Sequence, residues 1–304
     1  MENRSVSDPG RSLLLIGGIG FLGQHLVLAG RTSWKVIVAD QSITDNFDGR
    51  YRMDITDAED VRKVFESVRP YAVVNLAAIS DIDRCEREQS QARAVNIHGA
   101  ENVARECARL GARLVFLSSA AVFDGLKHGY SEDDLPHPLS VYGQTKLEAE
   151  KAINEILPSV DILRLALVLG LSHGQGTNAS LNKWIESWSK GKPITIPTQE
   201  YRNPIDASTL ARIILFLVEH PALRGLYHVG ALDSASRYEI AQQVARILGY
   251  SSSLIKPQEK STADRAPRGR DHFLLTERIR EICHIPLGTI DEVVRRSLNE
   301  LTEG

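Results

Sequence analysis

The chain has 304 residues, of which 42% are hydrophobic and 25% are charged, and its formal net charge at pH 7 is −3. A chain of this length buries roughly 75% of its extended surface, enough for a core that needs no metal or disulfide. The near-neutral charge and the absence of a long block of Lys and Arg argue against a general nucleic-acid binder and against binding to anionic membranes.

The cysteines Cys85, Cys107 and Cys283 are widely spaced and form no C-x-x-C pair. We therefore expect neither a disulfide framework nor a zinc site, and the nine histidines form no metal-binding pattern. The apolar run of residues 13–16 is too short for a secretion signal, and no stretch approaches the roughly 20 apolar residues that span a bilayer. These features predict a metal-free protein of the cytoplasm. The sequence says little about oligomeric state, and a homodimer is one option.

Short apolar runs alternate with helix-period segments through the first two-thirds of the chain. The runs predict strands buried on both faces at residues 13–16, 36–39, 72–76, 114–117 and 162–168. Between them, a capping-box pattern from Thr56 to Glu59 opens one predicted helix, and two more are predicted over residues 96–110 and 146–157. This alternation predicts an α/β fold with a Rossmann-type doubly wound parallel sheet.

The last third of the chain is more helical. Helices are predicted over residues 178–190 and 208–219, and capping boxes at Ser236 with Glu239 and at Thr289 with Glu292 open two more. We expect a smaller, mostly helical lobe that binds the substrate. The predicted division places the dinucleotide-binding domain in residues 1–170, completed by residues 205–230, and the substrate lobe in residues 171–204 and 231–304.

A glycine-rich turn follows the first predicted strand and opens the first predicted helix. Gly17, Gly18, Gly20 and Gly23 satisfy both the G-x-G-x-x-G and the G-x-x-G-x-x-G patterns. Such glycines allow a tight turn, a close approach of the backbone to a pyrophosphate, and close packing of helix on strand. The helix N-terminus supplies free N–H groups for the phosphates. The turn therefore predicts a bound dinucleotide.

An acidic residue supports this prediction and indicates which dinucleotide is bound. Asp40 ends the second predicted strand, 23 residues after Gly17, where a carboxylate accepts hydrogen bonds from the adenosine ribose. Asp40 would also repel a 2′-phosphate, which favours NAD over NADP. Nearby Arg31 or Lys35 could offset that repulsion, so NADP stays possible.

The spacing of Tyr142 and Lys146 predicts an acid–base pair. Residues four apart share one face of a helix, and a cation beside a phenol lowers its pKa from about 10. Upstream, Ser118 and Ser119 end the predicted strand 114–117 at the carboxyl edge of the sheet, where open α/β folds bind ligands. A hydroxyl there could bind the same substrate oxygen that Tyr142 protonates.

Together these motifs resemble the extended short-chain dehydrogenase/reductase family, over about residues 13–301. Besides the glycine turn, the resemblance is carried by residues 54–55, 75–78, 83–86, 95–96, 117–125 and 142–150. Segments 83–86, 117–125 and 142–150 are most similar to the dTDP-4-dehydrorhamnose reductase branch.

The resemblance implies roles for individual residues. Ser119 polarises a keto group and Tyr142 is the general acid, while Lys146 holds the nicotinamide ribose and lowers the pKa of Tyr142. Ser119 is preferred to Ser118 because the family's hydroxyl lies four residues before the aromatic that aligns with Phe123. The implied cofactor contacts are Gly17, Gly20, Phe21, Leu22, Gly23, Asp40, Asp54, Ile55, Leu76, Ala77, Ala78, Tyr142 and Lys146.

The resemblance also implies the reaction, an NAD(P)H-dependent reduction of a keto group on a nucleotide-linked 4-keto-6-deoxy sugar. Ala120 and Ala121 follow the implied catalytic serine, where the family's dehydratases carry acidic residues, so dehydration is not expected. Two alternatives stay open. One is an NAD-dependent nucleotide-sugar 4-epimerase, and the other is a non-catalytic regulatory subunit, which the family contains in the beta subunit of methionine adenosyltransferase.

The candidates for substrate binding lie in the last third of the chain. Arg202 and Arg268 are candidate diphosphate ligands because arginine offers a planar fork of donors to phosphate. Asn178 is a candidate contact for the sugar or nucleotide. Trp184 and Trp188 share one helix face, a pattern that is more typical of a core or an interface than of a ligand platform.

Overall fold

The computed structural model describes residues 11–172, 179–259 and 265–299. The strands are β1 Ser12–Ile16, β2 Lys35–Asp40, β3 Arg50–Arg52, β4 Ala72–Asn75, β5 Arg113–Ser119, β6 Asp161–Leu165, β7 Leu167–Leu169, β8 Ile194–Pro197, β9 Tyr201–Arg202, β10 Pro204–Asp206, β11 Gly225–Val229, β12 Ala235–Ser236, β13 Ile255–Gln258 and β14 Asp271–His272. The α-helices are α1 Phe21–Gly30, α2 Ala58–Val68, α3 Ile82–Arg87, α4 Gln89–Arg93, α5 Ala100–Leu110, α6 Val141–Ile156, α7 Ser180–Ser189, α8 Ala207–Glu219, α9 Arg237–Leu248, α10 Glu277–Ile282 and α11 Ile290–Leu298.

The centre of the molecule is a seven-stranded parallel sheet with the strand order β11-β6-β5-β4-β1-β2-β3. The order reverses beside β1, which pairs with β2 on one side and with β4 on the other. In open α/β sheets, ligands bind outside the carboxyl ends of the strands at such a reversal. The structure thus confirms the predicted Rossmann-type doubly wound sheet and locates its crevice at the glycine turn.

Each face of the sheet is covered by helices, which explains why its strands read as continuous apolar runs. Leu13 and Leu15 of β1 pack into a core cluster with residues of α1 and α8. Leu14 and Ile16 alternate with them and belong to a second cluster with residues of α2, α5 and α6. A buried strand therefore needs apolar side chains at every position, as β1 has.

A third apolar cluster lies outside the main sheet. It is built from α7, α9 and α11 together with β8 and β13. Trp184 and Trp188 are both buried in it, and the Trp188 ring lies 5.5 Å from that of Tyr250, so the two tryptophans are core residues. In contrast, Ile279 of α10 packs against the sheet cluster. The boundary between the two lobes stays a prediction.

Several predicted elements differ from the structure at their ends. The predicted strand 162–168 is two strands, because β7 leaves the main sheet after Ala166 and pairs with β10. The predicted start of α2 at a Thr56 capping box is wrong, since Asp57 accepts the N–H groups of Glu59 and Asp60. The predicted helix 96–110 combines a π-helix, Ala94–Gly99, with α5.

Helix α6 begins five residues earlier than predicted, which matters most for the site. Ser140 is its N-cap, and the Ser140 hydroxyl accepts a hydrogen bond from Gly143 N–H at 3.2 Å. The sequence pattern predicts a helix only from Lys146 onward. As a result Tyr142 lies within the first turn of the helix.

No helix within the described residues is long and apolar enough to cross a membrane.

The packing of α1 on β1 predicts a large effect of one substitution. A Cβ atom on Gly23 would overlap the carbonyl of Gly18. We expect Gly23→Ala to lower the free energy of unfolding by about 3 kcal/mol in urea denaturation, because backbone cannot move aside as a side chain can. Leu28→Ala on the exposed side of the same helix is the control, with a change of about 0.5 kcal/mol or less. Equal losses in the two variants would contradict this account.

Candidate active site

The glycine turn forms a cradle with a free helix end. Gly17 has a φ of +75°, and a Cβ atom there would lie 2.9 Å from the backbone nitrogen of Ala77. Gly20 is the N-cap of α1 and provides no side-chain cap, and the first turn carries no acidic residue. The unpaired N–H groups at such a helix end attract an anion. Phe21 and Leu22, two further predicted cofactor contacts, open this helix.

Two aspartates that the sequence predicts to contact the adenosine half of a dinucleotide are held by short hydrogen bonds. The Asp40 carboxylate ends β2 and accepts hydrogen bonds from Ser42 N–H at 3.0 Å and from Ser42 Oγ at 2.7 Å. Asp54 accepts the N–H and the hydroxyl of Thr56 in the same way. The neighbouring Ile55 is buried. These bonds hold both carboxylates at the carboxyl edge of the sheet.

The end of β4 closes the other side of the cradle. Leu76, Ala77 and Ala78 follow this strand and lie beside the glycine turn, where Leu76 N–H donates to the carbonyl of Ile16. The Asn75 side chain accepts Ala77 N–H, but its buried Nδ2 has no hydrogen-bond partner among the described residues. A buried donor without a partner is costly. Together with the free end of α1, this donor fits a polar ligand such as a dinucleotide.

Two of the three predicted catalytic residues, Ser119 and Tyr142, lie close together at the edge of the sheet, and Lys146 follows Tyr142 by four residues on the same helix. Ser119 ends β5, and its hydroxyl accepts a hydrogen bond from Ala121 N–H at 3.1 Å. The same hydroxyl lies close enough to the Tyr142 phenol to lower its pKa. Helix α6 comes so close to residues 120–122 that a Cβ atom on Gly143 would overlap the carbonyl of Ala121. The glycine after the tyrosine is therefore a packing requirement, which the sequence analysis missed.

Burial controls the protonation of Tyr142 and Lys146. Burial raises the pKa of Tyr142 to about 12, an increase that Ser119 opposes and the Cys85 thiol supports. The predicted lowering of the phenol pKa by Lys146 is not found. Burial also lowers the pKa of Lys146 to about 8, against the charge of Glu150, and the Lys146 Nζ lies 4.1 Å from the centre of the Phe116 ring. At neutral pH the site therefore offers a protonated phenol and an ammonium.

The neighbouring serine has a different environment. Ser118 is buried, and its hydroxyl donates to the Glu150 carboxylate, which also pairs with Arg164. Ser119 is the serine whose hydroxyl interacts with Tyr142.

A cavity of about 60 Å³ lies beside Ser119. It is lined by Ile82, Ser119, Ala121, Phe123, Leu139, Ser140, Ala166, Arg202, Pro267, Arg268, Gly269 and His272. Ligand pockets usually have roughly 300–1,000 Å³, so this cavity is too small for a sugar nucleotide as it stands. His272, which the sequence analysis missed, is buried and donates to the Phe123 carbonyl at 3.2 Å. Burial lowers the pKa of His272 to about 3, so the ring is neutral.

The two arginines predicted as diphosphate ligands both make bonds within the protein. The buried guanidinium of Arg202 donates to the carbonyls of Tyr201 at 2.6 Å, Gly269 at 3.2 Å and Arg270 at 3.3 Å. Arg268 binds both carboxylate oxygens of Asp83, at 3.0 and 2.7 Å. A buried guanidinium needs such partners to offset its loss of hydration.

The Asp83–Arg268 ion pair links α3 to the loop that covers the cavity. Asp83 also accepts the N–H of Ala266 at 2.8 Å. The two ends of this contact are 185 residues apart in the chain, so no local pattern could reveal it.

Asn178, the third predicted substrate contact, lies outside the described residues. Within those residues, no group of three or more His, Cys, Asp or Glu side chains is placed to hold a metal ion.

A sequence profile of the RmlD substrate binding domain matches residues 11–303. The chain belongs to this family. It is 32% identical over 246 residues to a dTDP-4-keto-6-deoxy-D-glucose reductase of Streptomyces niveus, a match that covers 80% of this chain and 81% of the relative. These two findings confirm the resemblance to the dTDP-4-dehydrorhamnose reductase branch.

A second relative and a solved structure are also similar to this chain. The beta subunit of methionine adenosyltransferase 2 from Xenopus tropicalis is 28% identical over 269 residues, covering 86% of this chain and 80% of the relative. The crystal structure of dTDP-4-dehydrorhamnose reductase from Bacillus anthracis, in complex with NADP, matches with a TM-score of 0.86. It is 24% identical, and the match covers 95% of this chain and 99% of that one, which shows the shared fold.

The Asp83–Arg268 ion pair predicts a local change when it is removed. We expect Asp83→Asn to speed amide hydrogen exchange of Ala266, Arg268 and Gly269, because this loop loses two charge-assisted bonds to α3. Asp133→Asn removes an exposed carboxylate that pairs with Arg278 and should leave residues 266–269 unchanged. Unchanged exchange in the Asp83 variant would show that other contacts hold the loop.

Proposed function

We propose that this protein uses NAD(P)H to reduce the keto group of a nucleotide-linked 4-keto-6-deoxy sugar. The observation that carries the proposal is that Ser119 and Tyr142 lie close together at the carboxyl edge of the sheet, the edge that also carries the glycine turn, with Lys146 one helical turn beyond Tyr142. The reductase from Streptomyces niveus, which is named for this type of substrate, supports it.

In this reaction some residues of the chain bind the cofactor, and others bind and protonate the keto oxygen. The bound cofactor supplies a hydride to the carbon of the keto group. The N–H groups at the start of α1 bind its pyrophosphate, and Asp40 accepts hydrogen bonds from its ribose. Ser119 donates a hydrogen bond to the keto oxygen, and Tyr142 gives that oxygen its proton. Lys146 holds the nicotinamide ribose.

The pKa of about 12 for Tyr142 suits this direction of the reaction. A group with so high a pKa stays protonated throughout the neutral range, so an acid is always available for reduction. A cation that stabilises the phenolate lowers the pKa of the phenol by the same free energy, and Lys146 has no such effect on Tyr142 in the free protein. The role of Lys146 is therefore to hold the nicotinamide ribose.

Substrate binding requires the loop of residues 265–270 to move, since the cavity beneath it is small. Arg268 is the group best placed to drive that change. A diphosphate carries more negative charge than Asp83 and offers the same kind of oxygen pair to the guanidinium, so it replaces Asp83 as the partner of Arg268. Asp40 favours NAD as the cofactor, and NADP is the alternative.

A second candidate function is a regulatory subunit. It is favoured by the 28% identity to a methionine adenosyltransferase beta subunit over 86% of the chain, and by the small volume of the cavity. Capture of a methionine adenosyltransferase catalytic subunit at one-to-one ratio, without oxidation of NADH or NADPH by any keto-sugar nucleotide, would favour this function. Interconversion of two sugars without added reduced cofactor would instead indicate a 4-epimerase.

The proposal includes a cytoplasmic location and a homodimer. The three cysteines are buried free thiols, which a reducing compartment preserves. Light scattering on the purified protein tests the homodimer.

Removal of the phenol hydroxyl tests the proposed proton donor. We expect Tyr142→Phe to lower kcat for NADH oxidation with dTDP-4-keto-6-deoxyglucose by roughly 10²–10⁴-fold, because the keto oxygen loses its acid. Cofactor affinity, measured by fluorescence titration, should change little. Tyr71→Phe is the matched control, since Tyr71 packs against Trp34 at the far end of the sheet. Full turnover by the Tyr142 variant would refute the proposed role.

The titration of Lys146 predicts the shape of the pH profile. Lys146 acts while protonated, and its pKa is about 8. We therefore expect kcat/KM to fall as the pH rises above about 8. Lys146→Arg keeps a cation whose pKa is far higher, so the decline near pH 8 should disappear in the activity that remains. A decline of the same midpoint in this variant would assign it to another group.

A further inference from the structure

Helix α6 carries a third ionisable group on the face that holds Tyr142 and Lys146. Glu150 follows Lys146 by four residues, so the three side chains lie one above the other along the helix. Glu150 is only 6% exposed. A buried carboxylate is costly unless partners compensate its charge, and the proposed mechanism gives it no role.

The partners of Glu150 hold its carboxylate at both oxygens. Arg164 donates from Nε to Oε1 at 3.0 Å and from Nη2 to Oε2 at 2.7 Å, and Ser118 donates to Oε1. Ser118 on β5 and Arg164 on β6 are direct neighbours in the register of the sheet. Since the sheet fixes both donors, the carboxylate has a fixed position one turn from Lys146. It acts on the lysine through its charge rather than through a direct bond.

Two other ionisable groups lie near Lys146 and Arg164, and neither carries a charge that competes with that of Glu150. The guanidinium of Arg164 lies 5.1 Å from the Phe123 ring centre, on the side of the sheet where His228 of β11 is its neighbour. Burial lowers the pKa of His228 to about 3, so that ring is neutral. The Cys85 thiol of α3 also faces Lys146, but burial raises its pKa to about 11, so it is uncharged near pH 8.

The geometry points to Glu150 as a positioning residue that keeps Lys146 protonated at neutral pH, with Arg164 and Ser118 holding the carboxylate in place. Burial alone lowers the pKa of the lysine, and Glu150 is the largest opposing influence. The benefit for catalysis rests on the proposed function. The effect on the charge of Lys146 does not, because it is a property of the folded chain.

The test compares two variants that break the same buried ion pair from opposite sides. The protein is labelled with [¹³Cε]lysine, and the Lys146 resonance is assigned by its loss in Lys146→Arg. The titration midpoint of Lys146 is then read by NMR in the protein without substrate. We expect Glu150→Gln to lower this midpoint by roughly one pH unit, because the lysine loses the negative charge. Arg164→Gln should not lower it, because Glu150 remains.

A purely structural role predicts a different result. Both variants lose one partner of the buried ion pair, so both should be less stable, and a structural role would move the Lys146 midpoint equally in both or in neither. Either of those outcomes overturns the inference. Glu150→Asp, which keeps the charge, should restore the midpoint to within a few tenths of a unit of the wild-type value.

Two safeguards keep the outcome interpretable. Should Glu150→Gln fail to fold, the double variant Glu150→Gln with Arg164→Gln leaves neither partner of that ion pair as an unpaired charge, and it should lower the midpoint as well. The titration needs neither substrate nor cofactor. A wild-type protein without reductase activity would therefore refute the proposed function and leave this measurement unaffected.

Discussion

The ammonium of Lys146 is buried at the carboxyl edge of the sheet, and much of the surrounding arrangement compensates for that burial. A cation taken out of water is stable only where other groups replace its hydration. The face of the Phe116 ring lies 4.1 Å away, and the charge of Glu150 favours the protonated lysine. Because the same helix face carries Tyr142, the Lys146 ammonium is one helical turn from the phenol that gives up its proton.

The parts of the site that depend on local pattern could be predicted from the sequence. The glycine turn, the acidic end of β2 and the four-residue spacing of Tyr142 and Lys146 each follow from a few consecutive residues. The strand β1 and the capping box of Ser236 with Glu239 are local in the same sense, and the structure has both. The parallel sheet follows from the alternation of such elements. Local chemistry therefore indicates both the fold and the position of the crevice.

Features that depend on distant parts of the chain could not be predicted. The partner of Arg268 is Asp83, and the carbonyls that occupy Arg202 include those of residues 269 and 270. From the sequence alone, an arginine is a candidate phosphate ligand, because its partners within the protein become known only from the structure. The pKa of Tyr142 is a further case, because spacing suggests the influence of Lys146 but burial depends on the whole fold. The departure of β7 from the main sheet likewise depends on its pairing with β10.

The relatives of this chain include a protein named as a keto-sugar reductase and one named as the beta subunit of methionine adenosyltransferase 2, so the fold does not decide the function. The central claim is that this chain transfers a hydride to a sugar carbon. Its most direct test is incubation with dTDP-4-keto-6-deoxyglucose and cofactor deuterated at the transferable position, followed by mass spectrometry of the sugar nucleotide. The account predicts a product that carries one deuterium on the former keto carbon. A sugar recovered without deuterium, with the cofactor still reduced, would contradict it.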